Sequence, residues 1–140
     1  MAFINKYEIL YECQFGFRKN FSTSMAVLDV VNMIQKELYD DNFVIGVFMD
    51  LQKAFDTITY DTLLSKLEHY GFRGFTASWF RSYLVGRSQY TAINGNDSLT
   101  KIITCGIPQG TVLGPLLFLL YINDIPNSVK HSRIKLLADD

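Results

Sequence analysis

The longest apolar run in the chain, Val112–Ile122, restricts the fold more than any other segment. It contains Gly114 and Pro115 and is too short to span a bilayer, so it predicts a helix buried within a protein core. A helix that is apolar on every side needs other elements packed around it. We expect Pro115 in the first turn, where proline is tolerated, and the helix to run to about Asp124.

The composition is that of a globular domain and does not identify a partner. The 140 residues are 49% hydrophobic and 19% charged, with a formal net charge of −1. A free-standing nucleic-acid binder usually carries a basic surplus, although acids that hold cations would offset phosphate-binding Lys and Arg. Cys13 and Cys105 show no zinc-site spacing, which favours a reduced, intracellular protein. Neither a signal peptide nor a membrane segment is predicted.

The remaining pattern predicts an α+β fold, with helices packed on a small, mostly antiparallel sheet. Ser22 should cap the first helix, whose inward face would be apolar. The Asn94–Asp97 turn should connect a hairpin, and the apolar run FVIGVFMD suits a strand buried on both faces. The predicted helices cover Thr23–Tyr39, Asp61–Tyr70 and Thr76–Leu84, and the predicted strands cover Phe43–Asp50, Gln89–Ile93, Leu99–Cys105 and Arg133–Ala138.

Carboxylates follow two of the predicted strands. Asp50 ends the first, and Asp139-Asp140 follow the last. A clustered or buried charge is costly without counter-charge, and Mg²⁺ would supply it through oxygen ligands. The alternatives are that Asp50 begins a turn or caps a helix, and that Asp139-Asp140 form an acidic turn. Asp56 is interpreted as a local turn or cap residue.

A glycine- and proline-rich loop, Gly106-Ile107-Pro108-Gln109-Gly110, precedes the apolar helix. Its glycines would let the backbone approach a ligand closely, and Gln109 offers a neutral donor and acceptor beside it. The alternative is a loop that only needs tight turns. The phosphate-loop pattern GxxxxGK[ST] is missing.

These stretches, taken in order, resemble the reverse transcriptase domain of non-LTR retrotransposons of the LINE type, most nearly the jockey-like ones. The resemblance covers nearly all of the chain from Gln14 onward. It is carried by QFGFRKNFST at 14–23, VFMDLQKAFDTI at 47–58, LLSKLEHYGFRG at 63–74, WFRSYLVGRSQY at 79–90, GIPQGTVLGPLLFLLYINDI at 106–125 and LADD at 137–140.

The resemblance implies a right-hand polymerase fold, with part of the fingers at 1–41 and the palm at 42–140. It also implies an RNA-directed DNA polymerase acting on an RNA template, a DNA primer and dNTPs with two Mg²⁺ ions, for which Mn²⁺ would be a substitute. The residue roles that it implies are metal ligation and catalysis by Asp50, Asp139 and Asp140, a steric gate at Phe55, nucleotide contacts by Gln109 and Gly110, and contacts near template and nucleotide by Arg18 and Lys19.

Some positions depart from the family pattern. Leu137 stands where an aromatic residue is usual, Phe21 where histidine is usual, and Ile58-Thr59-Tyr60 where Val-Asp-His is common. Because the sequence stops at Asp140, we expect the thumb, and an endonuclease if there is one, in the remainder of a parent polyprotein. We therefore expect this chain to be inactive by itself. The alternatives are a truncated, inactive element copy and a group II intron maturase-type enzyme.

Overall fold

The computed structural model describes residues 2–137, so Asp139 and Asp140 lie outside the described residues. The chain forms two compact units. The first comprises the described residues before Lys53 together with those after Tyr121, and the second is Lys53–Tyr121. The predicted mixture of helices with small antiparallel sheets is confirmed. The elements are α1 (Ala2–Lys6), α2 (Thr23–Tyr39), α3 (Tyr60–His69), α4 (Phe75–Leu84), β1 (Ser88–Gln89), β2 (Ala92–Ile93), β3 (Asn96–Asp97), β4 (Lys101–Ile102), α5 (Leu113–Ile122) and a 3₁₀ turn at Ile125–Ser128.

In the first unit, the buried side chain of Asn123 fixes the N-terminal segment. The Tyr11 backbone N–H donates to Asn123 Oδ1 at 3.0 Å, and Asn123 Nδ2 donates to the Ile9 carbonyl at 2.7 Å. Further along, the Phe15 N–H donates to the Leu136 carbonyl at 2.8 Å. A buried amide whose two ends are both bonded avoids the cost of an unsatisfied polar group.

Helix α2 begins and ends where the sequence predicts. Ser22 is extended and its side chain accepts a hydrogen bond from the Met25 N–H at 3.2 Å, as an N-cap does. The predicted inward face is wrong, because Val27 is 57% exposed and Leu38 56% exposed. Ala26 is the only α2 residue that is buried. A regular apolar spacing specifies the helix, but burial of its face depends on a neighbouring element.

The predicted strand over Phe43–Asp50 is wrong. The segment is irregular, and all its apolar side chains except the half-buried Val44 are exposed, with Phe43 at 99% and Phe48 at 91%. A strand satisfies its backbone groups by pairing, and the strands of the described chain pair only with one another, β1 with β4 and β2 with β3. The predicted last strand is reduced, within residues 2–137, to an isolated parallel bridge between Leu136 and Gln14.

In the second unit, α3 packs against α4, and α5 supplies four side chains that are at most 1% exposed. Helix α3 ends before Gly71, whose φ of +94° suits glycine, as predicted. Helix α5 begins at Leu113, two residues before the predicted Pro115, which still lies in the first turn. The buried residues of the three helices include Leu63, Leu64, Leu67, Phe80, Leu84, Leu117, Phe118, Leu119 and Leu120.

The predicted hairpin is confirmed with a tighter turn. Ile93 pairs with Asn96, so the turn consists of Asn94 and Gly95 alone. Both residues have positive φ, 49° and 78°, as a two-residue turn between twisted strands requires. The four strand segments are exposed on both faces. Among residues 2–137, none of the helices has the length and apolar character needed to cross a membrane.

Candidate functional site

The glycine- and proline-rich loop is joined by its backbone to the segment around Phe55. The Ile107 N–H donates to the Phe55 carbonyl, and the Gly106 N–H donates to the Ile58 carbonyl, each at 2.8 Å. Thr59 and Cys105 form an antiparallel bridge at the end of this pairing. We call residues 53–59 and 105–110 the loop pair. These backbone bonds fix the spacing of the side chains between them.

Within the loop pair, two side chains that the sequence separates by 53 positions meet. Gln109 Nε2 donates to Asp56 Oδ1 at 2.9 Å, and both residues are exposed. Asp56 also lies in a turn, because its N–H donates to the Lys53 carbonyl at 2.9 Å. The interpretation of Asp56 as a turn residue is therefore confirmed. Its carboxylate also accepts the hydrogen bond from Gln109, which no local sequence pattern indicated.

The glycines of this loop are required for different reasons. A Cβ on Gly106 would lie 3.0 Å from the Asp56 carbonyl oxygen, and the φ of Gly106 is +88°. Gly106 thus approaches the chain's own backbone. Gly110 has a φ of +72°, but a Cβ there would meet nothing within 4 Å. The space beside Gln109 and Gly110 is therefore open to a ligand.

A single hydroxyl anchors the loop to the start of α5. Thr111 Oγ1 donates to the Pro108 carbonyl at 2.9 Å and accepts from the Gly114 N–H and the Tyr83 hydroxyl, each at 3.1 Å. One donor and two acceptor positions are all that a hydroxyl offers. The loop is consequently held from α4 as well as from α5.

Phe55, the predicted steric gate, is half-buried and stacks on Phe118, with ring centroids 4.5 Å apart and planes at 22°. The stacking holds one face of the ring against a fully buried residue of α5. The ring therefore has a defined position, which a side chain that excludes one substrate needs.

Tyr60 closes the end of the loop pair. Its hydroxyl donates to the Cys105 carbonyl at 3.1 Å, and the residue is buried. Burial raises the pKa of the Tyr60 hydroxyl, and the nearby charge of Arg87 partly opposes the rise. Tyr60 is thus a neutral donor at this point.

Arg18 and Asp50 belong to the first unit. Arg18 donates through one nitrogen to the Tyr11 and Gln14 carbonyls, at 2.9 and 3.1 Å, and its guanidinium lies 4.2 Å from the centroid of the Phe21 ring. These contacts fold the segment before α2. An arginine has five N–H donors, so they leave the predicted nucleotide contact open.

Asp50 is exposed at the end of the irregular apolar segment. Its carboxylate has the hard oxygen chemistry that Mg²⁺ prefers. Across residues 2–137, no three His, Cys, Asp or Glu side chains are close enough together to hold a metal ion. The two predicted companions of Asp50 lie outside that range, so donor chemistry is what supports the predicted metal site.

The family model for reverse transcriptase (RNA-dependent DNA polymerase) matches residues 2–140. The chain belongs to the reverse transcriptase family. This confirms the resemblance carried by the motifs at Asp50 and Gln109. The GIPQG motif of this resemblance is residues 106–110. It lies in the segment of the loop pair that has open space at Gly110.

Several curated proteins are similar to this reverse transcriptase chain. A Drosophila melanogaster protein named "Probable RNA-directed DNA polymerase from transposon BS" is 35% identical over 84% of the chain and 13% of its own length. The D. melanogaster RNA-directed DNA polymerase from mobile element jockey is 34% identical over 81% of the chain and 12% of its own length. A Saccharomyces cerevisiae protein named "Putative COX1/OXI3 intron 1 protein" is 34% identical over 73% of the chain and 11% of its own length. The chain therefore spans about an eighth of the length of the transposon proteins that it matches.

Proposed function

We propose that this chain contributes the fingers (residues 1–41) and palm (residues 42–140) of a right-hand RNA-directed DNA polymerase from a non-LTR retrotransposon. The observation that carries the proposal is the family match over residues 2–140. The transposon BS and jockey relatives, whose names specify RNA-directed DNA polymerases, support the same assignment. The partners would be an RNA template, a DNA primer, dNTPs and the remainder of a polyprotein, inside the cell.

The proposed reaction is nucleotidyl transfer. The primer 3′-hydroxyl loses its proton and attacks the α-phosphorus of a dNTP, a new P–O bond forms, and the bond to pyrophosphate breaks. Asp50, Asp139 and Asp140 would hold two Mg²⁺ ions. When bound, these ions supply positive charge to the attacking hydroxyl and to the leaving pyrophosphate.

The loop pair would position the nucleotide. Gln109 has an exposed amide beside the open space at Gly110, which suits a contact with the incoming nucleotide. Phe55, held against Phe118, would crowd a ribose 2′-hydroxyl and so favour deoxynucleotides. Both roles need side chains in fixed positions. Stacking on Phe118 holds the Phe55 ring, and the backbone bonds of the loop pair hold the segments that carry Phe55 and Gln109 together.

Primer extension on an RNA template with Mg²⁺ tests the proposal. The 140-residue chain is compared with a version extended through the thumb, each with an Asp50→Ala variant. We expect extension only from the longer protein, and its loss in Asp50→Ala. Asp40→Ala is the matched control, because Asp40 is an exposed aspartate that ends α2 and has no proposed role.

The outcomes separate the alternatives. Activity that survives Asp50→Ala would remove Asp50 from the reaction. If the longer wild-type protein shows no primer extension although circular dichroism shows that it is folded, the result would favour an inactive element copy. The similarity to the intron 1 protein makes an intron-encoded reverse transcriptase the second candidate. A helical RNA-binding region downstream of the palm would favour that candidate.

A further inference from the structure

We propose that Asp56 is a positioning residue that fixes the orientation of the Gln109 amide, so that Gln109 presents its carbonyl oxygen to the nucleotide. The inference rests on the proposed nucleotide role of Gln109. It adds Asp56, which has no part in the function proposed above. The observation behind it is the 2.9 Å hydrogen bond from Gln109 Nε2 to Asp56 Oδ1.

The chemistry of the pair determines which end of the amide faces Asp56. An ionised carboxylate only accepts hydrogen bonds, whereas a glutamine amide has a donating end and an accepting end. Asp56 must therefore face the NH₂ group, and Oε1 is left on the other side. Without Asp56 the amide could rotate about its last torsion, which is broad and nearly two-fold.

The backbone makes this orientation persistent. Phe55, directly before Asp56, accepts from Ile107, and Ile58, two residues after it, accepts from Gly106, each at 2.8 Å. In residues 53–59 of the loop pair, the two acceptors lie on either side of Asp56. In residues 105–110, the two donors precede Gln109. The backbone thus keeps the two residues at a separation that their side chains can bridge with a hydrogen bond.

The orientation has a consequence for the ligand. A carbonyl oxygen accepts hydrogen bonds from hydroxyl and amino groups and repels phosphate oxygens, which also only accept. Gln109, oriented by Asp56, would therefore recognise a sugar hydroxyl or a base amino group of the nucleotide. Gly110 leaves open space next to it, since a Cβ there would have no neighbour within 4 Å.

A double-mutant cycle in the complete polymerase tests the proposal. The variants are Asp56→Asn, Gln109→Ala and the double variant, and KM for dNTP and kcat are measured in steady-state primer extension. Asp56→Asn keeps the size of the side chain but replaces the carboxylate with an amide, which can offer Gln109 either a donor or an acceptor. Asp97→Asn is the matched control, because Asp97 is an exposed aspartate of β3 and its change removes the same charge.

We expect Gln109→Ala to raise KM by about 2- to 10-fold, the effect of one hydrogen bond, with kcat changed less than KM. Asp56→Asn should raise KM by about 2-fold or more, because an amide at position 56 accepts either orientation of Gln109. In the Gln109→Ala background, Asp56→Asn should change KM by less than about 2-fold, since its effect passes through Gln109. A purely structural role would lower kcat and the free energy of unfolding together, so urea unfolding of each variant is recorded as well.

Other outcomes overturn the inference in distinguishable ways. If Asp56→Asn raises KM by the same factor with and without Gln109, or if Asp97→Asn matches it, Asp56 does not act through Gln109. If Gln109→Ala leaves KM unchanged, the nucleotide role of Gln109 fails and the inference fails with it. Loss of activity in Asp50→Ala would then still uphold the polymerase assignment.

Discussion

Replacing Gly106 by alanine should destabilise the chain more than the same change at Gly110. The new Cβ at Gly106 would lie 3.0 Å from the carbonyl oxygen and 3.1 Å from the Cα of Asp56. Both are backbone atoms, and the Gly106 N–H is itself bonded to Ile58 at 2.8 Å, so neither side can move freely. At Gly110, a Cβ would meet nothing within 4 Å. Both glycines have positive φ, but only Gly106 would have a close Cβ contact. Comparing the two substitutions therefore isolates the steric contribution from the conformational one.

The magnitude follows from the two contributions. A non-glycine residue at positive φ costs about 1–3 kcal/mol, and both sites share this cost. Overpacking at Gly106 adds about 1–3 kcal/mol. Alanine also restricts the unfolded chain, which returns about 0.4–1 kcal/mol at each site. The expected loss is therefore about 1–6 kcal/mol for Gly106→Ala and about 0–3 kcal/mol for Gly110→Ala, with the overpacking contribution of about 1–3 kcal/mol as the difference between them.

Urea unfolding of the 140-residue chain, followed by circular dichroism, measures the difference. With a urea dependence of about 1–3 kcal/mol per molar, the packing contribution separates the two midpoints by roughly 1 M. The fluorescence of Trp79, in α4 of the same unit, gives a second probe of cooperative unfolding. Equal stabilities for the two variants, within about 0.5 kcal/mol, would refute the close approach between Gly106 and Asp56.

Three further outcomes are expected. Phe55→Ala in the complete polymerase should raise ribonucleotide incorporation, measured by competition between NTP and dNTP, and should lower the chain's stability because Phe118 loses its stacking partner. The raised pKa of Tyr60 means that the folded state keeps its proton longer, so stability should fall as pH rises above the ordinary tyrosine value of 10.0, and Tyr60→Phe should reduce that fall in unfolding titrations. Cys105 is exposed, whereas burial raises the pKa of the half-buried Cys13, so alkylation at neutral pH should label Cys105 first by mass spectrometry.

Motifs with a local physical cause were predictable from the sequence. The Ser22 cap and the apolar spacing after it determined α2 at Thr23–Tyr39. The pair Asn94-Gly95 determined the hairpin turn, because both residues accept positive φ. The long apolar run determined the buried helix α5, which is apolar on every side.

The candidate site was predictable only in part. The GIPQG pattern placed Gln109 and Gly110 in a loop before α5, and the structure leaves open space there. The partner of Gln109 was missed, because Asp56 is 53 positions away and its own surroundings indicate nothing beyond a turn. The family match leaves the roles of Asp50, Asp139 and Asp140 as predictions, and the Asp50→Ala assay tests the first of them.

Local sequence thus determined where the helices and turns of this chain lie, and tertiary structure decided which of their faces and groups found a partner. The apolar run at Phe43–Asp50 suits a buried strand, yet it is irregular and exposed because a strand depends on hydrogen bonds from a neighbouring chain segment. Gly106 and Gln109 were expected to serve a ligand. The fold uses Gly106 to bring two backbones together and Asp56 to orient Gln109, since both contacts join residues about 50 positions apart.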